Sequence, residues 1–121
     1  LFSSAASDVY KRQRLPNGRA KGFLGLIELC RTFAAEIEEH VEAFTTLHKE
    51  SDFRGLAALG AQLASKSRDA GCARLAAVAS LVEDSCNAGD YEATDRYARR
   101  LPRVARDTAA ALEDFLGSLD D

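Results

Sequence analysis

The sequence lacks tryptophan and methionine and contains only two prolines in 121 residues. Few prolines suit long helices, because proline removes a backbone hydrogen bond and breaks a helix interior. Charged residues interrupt every apolar stretch well before the ~20 residues that a membrane-spanning helix needs. A formal charge of -3 leaves no excess of lysine and arginine for nucleic-acid phosphates. The composition therefore predicts a helical domain that binds neither nucleic acid nor membrane.

Groups that hold metals or form disulfides are also few. Cys30, Cys72 and Cys86 are far apart in the sequence and odd in number, which suits neither a metal site nor a disulfide framework. We expect them to be buried as small apolar residues. No signal peptide is recognisable, so we expect a cytoplasmic protein with no metal and no cofactor.

The N-terminal residues differ in character from the rest of the chain. Residues 3–13, SSAASDVYKRQ, resemble the in-frame translation of a sequencing adapter. We therefore expect residues 1–13 to be a non-native segment outside the fold. Residues 14–21, RLPNGRAK, combine proline, asparagine and glycine with basic residues, which predicts a flexible lead-in. The domain itself is expected over residues 22–119.

Two helices are predicted in the first half of this domain. From Phe23 onwards, apolar residues recur at alternating steps of three and four and so share one helix face: Ile27, Cys30, Phe33 or Ala34, Ile37, Val41 and Phe44. Ser51 is the expected N-cap of a second helix over residues 52–67, because its hydroxyl can accept from first-turn amides. Gly71 is expected to take the left-handed conformation that ends this helix. The second helix would bury Leu56, Leu59 and Leu63.

Two further helices are predicted in the second half. The third, over residues 72–87, ends at Asn87 to Gly89, and Asp90 caps the fourth. Its expected core residues are Leu75, Val78, Val82 and either Ser85 or Cys86. The fourth has a bundle seam of Tyr97, Leu101, Val104, Thr108, Ala111, Phe115 and Leu119. Pro102 lies in phase with this seam, which favours one helix kinked near Pro102 over two helices meeting at Arg100. The prediction is an all-α, antiparallel, up-down-up-down four-helix bundle.

The stretch DFRGLAALGAQLASKSRDAGC, from Asp52 to Cys72, resembles the centre of a histidine phosphotransfer (HPt) domain. That family has an aromatic residue after a turn, a helix with His-x-Leu-Lys-Gly, and a later glycine followed by a small residue. Without a gap, the matching residues are Asp52, Phe53, Leu63, Gly71 and Cys72. The same spacing puts Ala61 at the phosphoacceptor histidine, Ala64 at the lysine and Ser65 at the glycine.

The resemblance implies a degenerate HPt module, because the methyl group of Ala61 has no lone pair to accept phosphate. We expect a non-enzymatic, monomeric module of a bacterial two-component phosphorelay that docks or scaffolds a response-regulator receiver domain or a histidine kinase. The docking residues implied are Ala61, Gln62, Ala64, Ser65, Lys66 and Arg68. The alternative is a structural or dimerising helical bundle unrelated to phosphorelay.

Histidines and arginines elsewhere also bear on function. His40 is interpreted as a boundary or core residue of the first helix rather than a displaced phosphoacceptor. His48 is interpreted as a helix-end charge that favours the helix dipole. A basic stripe near Pro102 comprises Arg99, Arg100, Arg103 and Arg106. It is interpreted as a salt-bridged surface rather than as an anionic docking site.

Overall fold

The computed structural model describes the backbone of residues 17–120 and the side chains of residues 22–120. It contains four α-helices: α1 (Asn17–Lys49), α2 (Phe53–Asp69), α3 (Ala73–Asn87) and α4 (Tyr91–Leu119). Each helix packs against the next and α4 packs against α1, which closes the bundle. Connections of only three residues make successive helices antiparallel. The predicted all-α four-helix bundle is confirmed, while the prediction for residues 1–13 lies outside the described residues.

The first helix begins earlier than the sequence pattern indicated. It starts at Asn17 rather than Phe23, so the flexible lead-in predicted for residues 14–21 is wrong for residues 17–21, and residues 14–16 lie outside the described residues. Gly18 opposes helix by only about 1 kcal/mol, which a long helix can absorb. Within the described helices, none is long and apolar enough to cross a membrane.

The three connections use one backbone design. In each, the second residue has a positive φ, namely 53° at Ser51, 74° at Gly71 and 72° at Gly89. The next residue is the N-cap of the following helix, so Asp52 and not Ser51 caps α2. Ser51 cannot cap α2, because it occupies the left-handed position that ends α1. The predictions for Gly71 and for the Asp90 cap are confirmed.

The core agrees with most of the predicted seams. The α1 residues Cys30, Phe33, Ile37, Val41 and Phe44 are all buried, and Ile27 is half-buried. Leu59 of α2 is only half-buried. On α3, where either Ser85 or Cys86 was expected in the core, both are buried.

On α4, Ala111 is exposed and Leu112 is buried in its place, so the prediction for Ala111 is wrong. A step of four from Thr108 fits the 3.6-residue period as well as a step of three, and burying the larger leucine excludes more apolar surface from water. The same helix continues through Pro102, which excludes two helices meeting at Arg100. The kink near Pro102 stays a prediction.

Helices α2 and α3 approach each other closely at Gly60. A Cβ atom at this position would lie 3.0 Å from the carbonyl oxygen of Ala79 and 3.3 Å from the amide nitrogen of Glu83. Both are backbone atoms inside a helix, and they can move only if α3 moves. The missing side chain of Gly60 therefore sets the distance between α2 and α3.

Gly60→Ala should destabilise the fold, although alanine is the better helix former. Overpacking costs about 1–3 kcal/mol and the gain in helix propensity is about 1 kcal/mol, so we expect a net loss of up to about 2 kcal/mol in urea unfolding. Gly25→Ala is the matched control, because nothing lies within 4 Å of the position that its added methyl group would occupy. It should gain about 0.5–1 kcal/mol. Equal effects of the two substitutions would show that α2 and α3 are not in tight contact.

Candidate functional site

The second helix is held in a defined rotation by its cap and its buried residues. The backbone N–H of Gly55 donates to Asp52 Oδ1 at 2.9 Å, which fixes the first turn. The buried residues of α2 are Leu56, Gly60, Leu63, Ala64 and Ser67. The opposite side is exposed, and we call its central residues Ala58, Gln62 and Ser65 the α2 outer face. This face consists of small or uncharged side chains, with Arg54 and Arg68 exposed towards its ends.

The structure divides the predicted docking residues into three groups. Gln62, Ser65 and Arg68 are exposed, and Ala61 and Lys66 are half-buried. Ala64 has no exposed surface, so its assignment to the docking surface is wrong. It follows Gly60 by one helical turn and shares its rotation towards the core. The methyl group of Ala61 lies at the edge of the α2 outer face.

The amine of Lys66 belongs to a polar cluster between α1 and α2. Its Nζ donates to Glu36 Oε2 at 3.0 Å and lies 3.4 Å from His40 Nε2. The same Glu36 oxygen lies 3.6 Å from His40 Nε2. The Glu36 carboxylate therefore offsets the positive charge that Lys66 was expected to offer to a docking surface. Glu36 and His40 are one helical turn apart on α1, but only the packing of α2 beside α1 brings Lys66 to them, so spacing along the chain could not indicate the complete cluster.

His40 is a boundary residue, as predicted, with 14% of its side chain exposed. Burial lowers its pKa, and the nearby Lys66 ammonium lowers it further. The neutral ring is thus favoured, and its Nε2 lone pair can accept from Lys66. A lone pair engaged in this way is poorly placed to attack a phosphoryl group.

His48 connects the C-terminal end of α1 to the start of α4. Its Nε2 lies 2.7 Å from Asp95 Oδ1, and the other Asp95 oxygen lies 2.9 Å from Arg99 Nε. The hydrogen bond from His48 is the main cause of the lowered pKa of Asp95, and Arg99 adds to it. His48 lies at the end of α1, as the sequence predicted. The sequence did not predict its partner Asp95 on α4.

In the part of the chain that the structure describes, the cysteines and acidic residues form no second site. Cys30, Cys72 and Cys86 are free thiols and all are buried, as predicted. Burial raises the pKa of Cys30, and it raises the pKa of Cys72 to about 11, which keeps both as unreactive thiols near neutral pH. Among the described residues, no three His, Cys, Asp or Glu side chains are grouped so that they could hold a metal ion.

The lowered pKa of His40 predicts a pH dependence of stability. Below pH 6.5 the unfolded chain binds a proton at His40 before the folded chain does, so stability should fall as the pH drops from about 6.5 through the folded pKa. The charges that face His40 are Lys66, Glu36 and Glu39. Urea unfolding of the wild type and His40→Gln at about pH 7.5 and about pH 5.5 measures this contribution, and His40→Gln should lose less stability.

His48→Gln is the matched control, since it removes the other histidine of the chain and leaves the His40 cluster intact. This variant should still lose stability as the pH falls, because His40 is unchanged in it. An identical pH dependence in the wild type and His40→Gln would contradict the neutral ring of His40.

Comparison of the chain with protein-family models gives no match, and neither do comparisons with curated protein sequences and with solved structures. The resemblance to HPt domains therefore depends on the sequence itself, namely on the spacing from Asp52 to Cys72 and on the four-helix pattern around it. Four-helix bundles serve many unrelated functions, so the fold by itself does not select one. Any function must follow from the chemistry of the surface, and α2 is the helix that the resemblance singles out.

Proposed function

We propose that this bundle is an HPt-like module of a bacterial two-component phosphorelay that docks a receiver domain or a histidine kinase and does not itself carry phosphate. The observation that supports it is the α2 outer face, which offers a smooth helical surface where an HPt domain would present its histidine. Gln62 and Ser65 are exposed on this face, and the Ala61 methyl group is half-buried at its edge.

Phosphate transfer requires a nucleophile with a free lone pair in reach of an aspartyl phosphate. Ala61 has none, and the α2 outer face has no imidazole. His40 lies on the neighbouring helix with its Nε2 at 3.4 Å from the Lys66 ammonium. The proposed module therefore acts by binding, as a scaffold or as a competitor for a receiver.

The character of the surface fits a transient interface. Small side chains at Ala58 and Ser65 allow a partner backbone or helix to approach α2 closely, and both positions are exposed. The charged side chains of Arg54 and Arg68 lie beyond them on the same helix. A small centre with a charged rim fits a transient contact, of the kind that buries less than about 1,200 Å².

A dimerising bundle is the second candidate, and exposed leucines on α1 favour it. Leu24 is 58% exposed and Leu29 is 42% exposed, on the part of α1 that precedes the buried Phe33. Leu24 and Leu29 lie about 140° apart around α1, so a dimer that packs on this part of α1 would cover at least one of them and leave the α2 outer face free. Sedimentation equilibrium separates the two candidates, because a concentration-dependent dimer favours the second and a monomer favours the first.

Ser65→Arg should weaken receiver binding at least about tenfold, because a long charged side chain prevents close approach to α2. Isothermal titration calorimetry with receiver and kinase domains encoded in the same genome measures this change. Receivers are titrated both with and without phosphorylation by acetyl phosphate. Ala110→Arg is the control, since Ala110 is equally a small exposed helix residue but lies on α4. The proposal fails if no domain binds the wild type, or if both variants bind alike.

Ala61→His should create a phosphoacceptor if α2 docks as proposed. The structure argues against adding a lysine at position 64, because Ala64 has no exposed surface and a buried ammonium is costly. After incubation with a phosphorylated receiver, the variant should carry an acid-labile, base-stable label on residue 61, and the wild type should carry none.

Ala58→His is the matched control, because it puts the same side chain on the α2 outer face about one turn away. It should remain unlabelled. A folded Ala61→His protein that accepts no phosphate, or equal labelling of both variants, would contradict the register on which the proposal depends.

A further inference from the structure

Arginines from two helices line one surface groove of about 410 Å³. The residues around it, which we call the arginine groove, are Arg74 of α3 and Arg99, Arg100, Arg103, Val104 and Asp107 of α4. The groove lies between α3 and α4 and does not include any residue of the α2 outer face. Four guanidinium groups thus surround one concave surface that contains a single carboxylate.

The pairing of these arginines decides between the two interpretations of the basic stripe. Arg106 lies outside the groove and donates to Glu38 at 3.1 Å, and Arg99 lies 2.9 Å from Asp95. These two fit a salt-bridged surface. Within the described residues, no carboxylate oxygen lies within 4.0 Å of the remaining groove arginines, which are Arg74, Arg100 and Arg103.

Unpaired arginines in one groove repel one another, since a guanidinium group stays charged at any physiological pH. The chain as a whole has a formal charge of -3, so this local excess of positive charge runs against its overall balance. The amino-terminal end of α3, which begins at Ala73 beside Arg74, adds the positive end of a helix dipole. An anion in the groove would relieve the repulsion and complete the arginine hydrogen bonds.

We propose that the arginine groove binds a compact polyanion with two or more linked phosphate groups. Guanidinium groups match phosphate oxygens in pairs of parallel hydrogen bonds, and arginines on two helices can hold adjacent phosphates at once. The groove volume is near the lower end of the range for small-molecule sites, which suits a diphosphate or triphosphate unit. Val104 provides an apolar contact beside the charges. This site is independent of the proposed docking by α2.

Titration of the full chain with pyrophosphate, followed by calorimetry in about 0.1 M salt, tests the inference. Pyrophosphate should bind about tenfold more tightly than orthophosphate, because two phosphates engage more arginines than one. The double variant Arg100→Gln, Arg103→Gln should bind pyrophosphate at least about tenfold more weakly. Both side chains are exposed, and circular dichroism confirms that the variant is folded.

Arg96→Gln is the matched control, since Arg96 is an exposed arginine of α4 that does not line the groove. It should bind pyrophosphate as the wild type does, and so should Ser65→Arg, which separates this site from the α2 outer face. Equal weakening by Arg96→Gln and by the groove variant would overturn the inference in favour of a general charge effect.

A hexaglutamate peptide tests the other class of anion. If it binds more tightly than pyrophosphate and depends on the same arginines, the groove belongs to an acidic protein segment and the inference is wrong. Absence of pyrophosphate binding at millimolar concentration would also overturn it.

Discussion

The contact between α2 and α3 at Gly60 is the constraint on which the remaining surface depends. With the Ala79 carbonyl oxygen 3.0 Å from the position of a Cβ atom, α2 cannot rotate without placing a side chain against the backbone of α3. Leu63 and Ala64, about one turn later, are consequently buried. The residues half a turn away must then face solvent, and these form the α2 outer face. A missing side chain in the core thus determines which side chains are available to a partner.

The helices could be predicted well because their apolar periodicity is strong, and prediction failed where two residues suit one role equally. Ser51 and Asp52 both have cap chemistry, and only the positive φ of Ser51 decides between them. Likewise, Ala111 and Leu112 are both apolar, and helix rotation buries the larger one. The prediction for Ala64 is wrong for a related reason. Matching a family pattern fixes where a residue lies along α2, but contact with α3 sets the rotation of α2 and so decides which residues are exposed.

Charge pairs between helices could not be predicted from spacing, because they depend on which helices are neighbours. Glu36 and Glu38 are separated by two residues, or about 200° around α1. Accordingly, Glu36 pairs with Lys66 of α2, and Glu38 pairs with Arg106 of α4. Ion pairs that solvent can reach, as both of these can, contribute little to stability. These pairs contribute to the specificity of the fold instead. Helix α1 places acidic residues towards basic residues on both of its neighbours, which favours this order of helices over others.

Polar groups that have partners within the protein have structural roles, whereas charged groups without such partners remain available to a ligand. Lys66 has a carboxylate partner, and the ring nitrogen of His40 faces its ammonium at 3.4 Å. Those groups are engaged within the protein, and a ligand would have to compete for them. The α2 outer face has few charges to satisfy, whereas Arg100 and Arg103 have charge without a carboxylate partner among the described residues. A partner that binds α2 gains from shape and apolar contact, while a ligand of the arginine groove gains from charge. The two surfaces therefore differ in the physical basis of binding, and salt should weaken binding at the arginine groove far more than binding at α2.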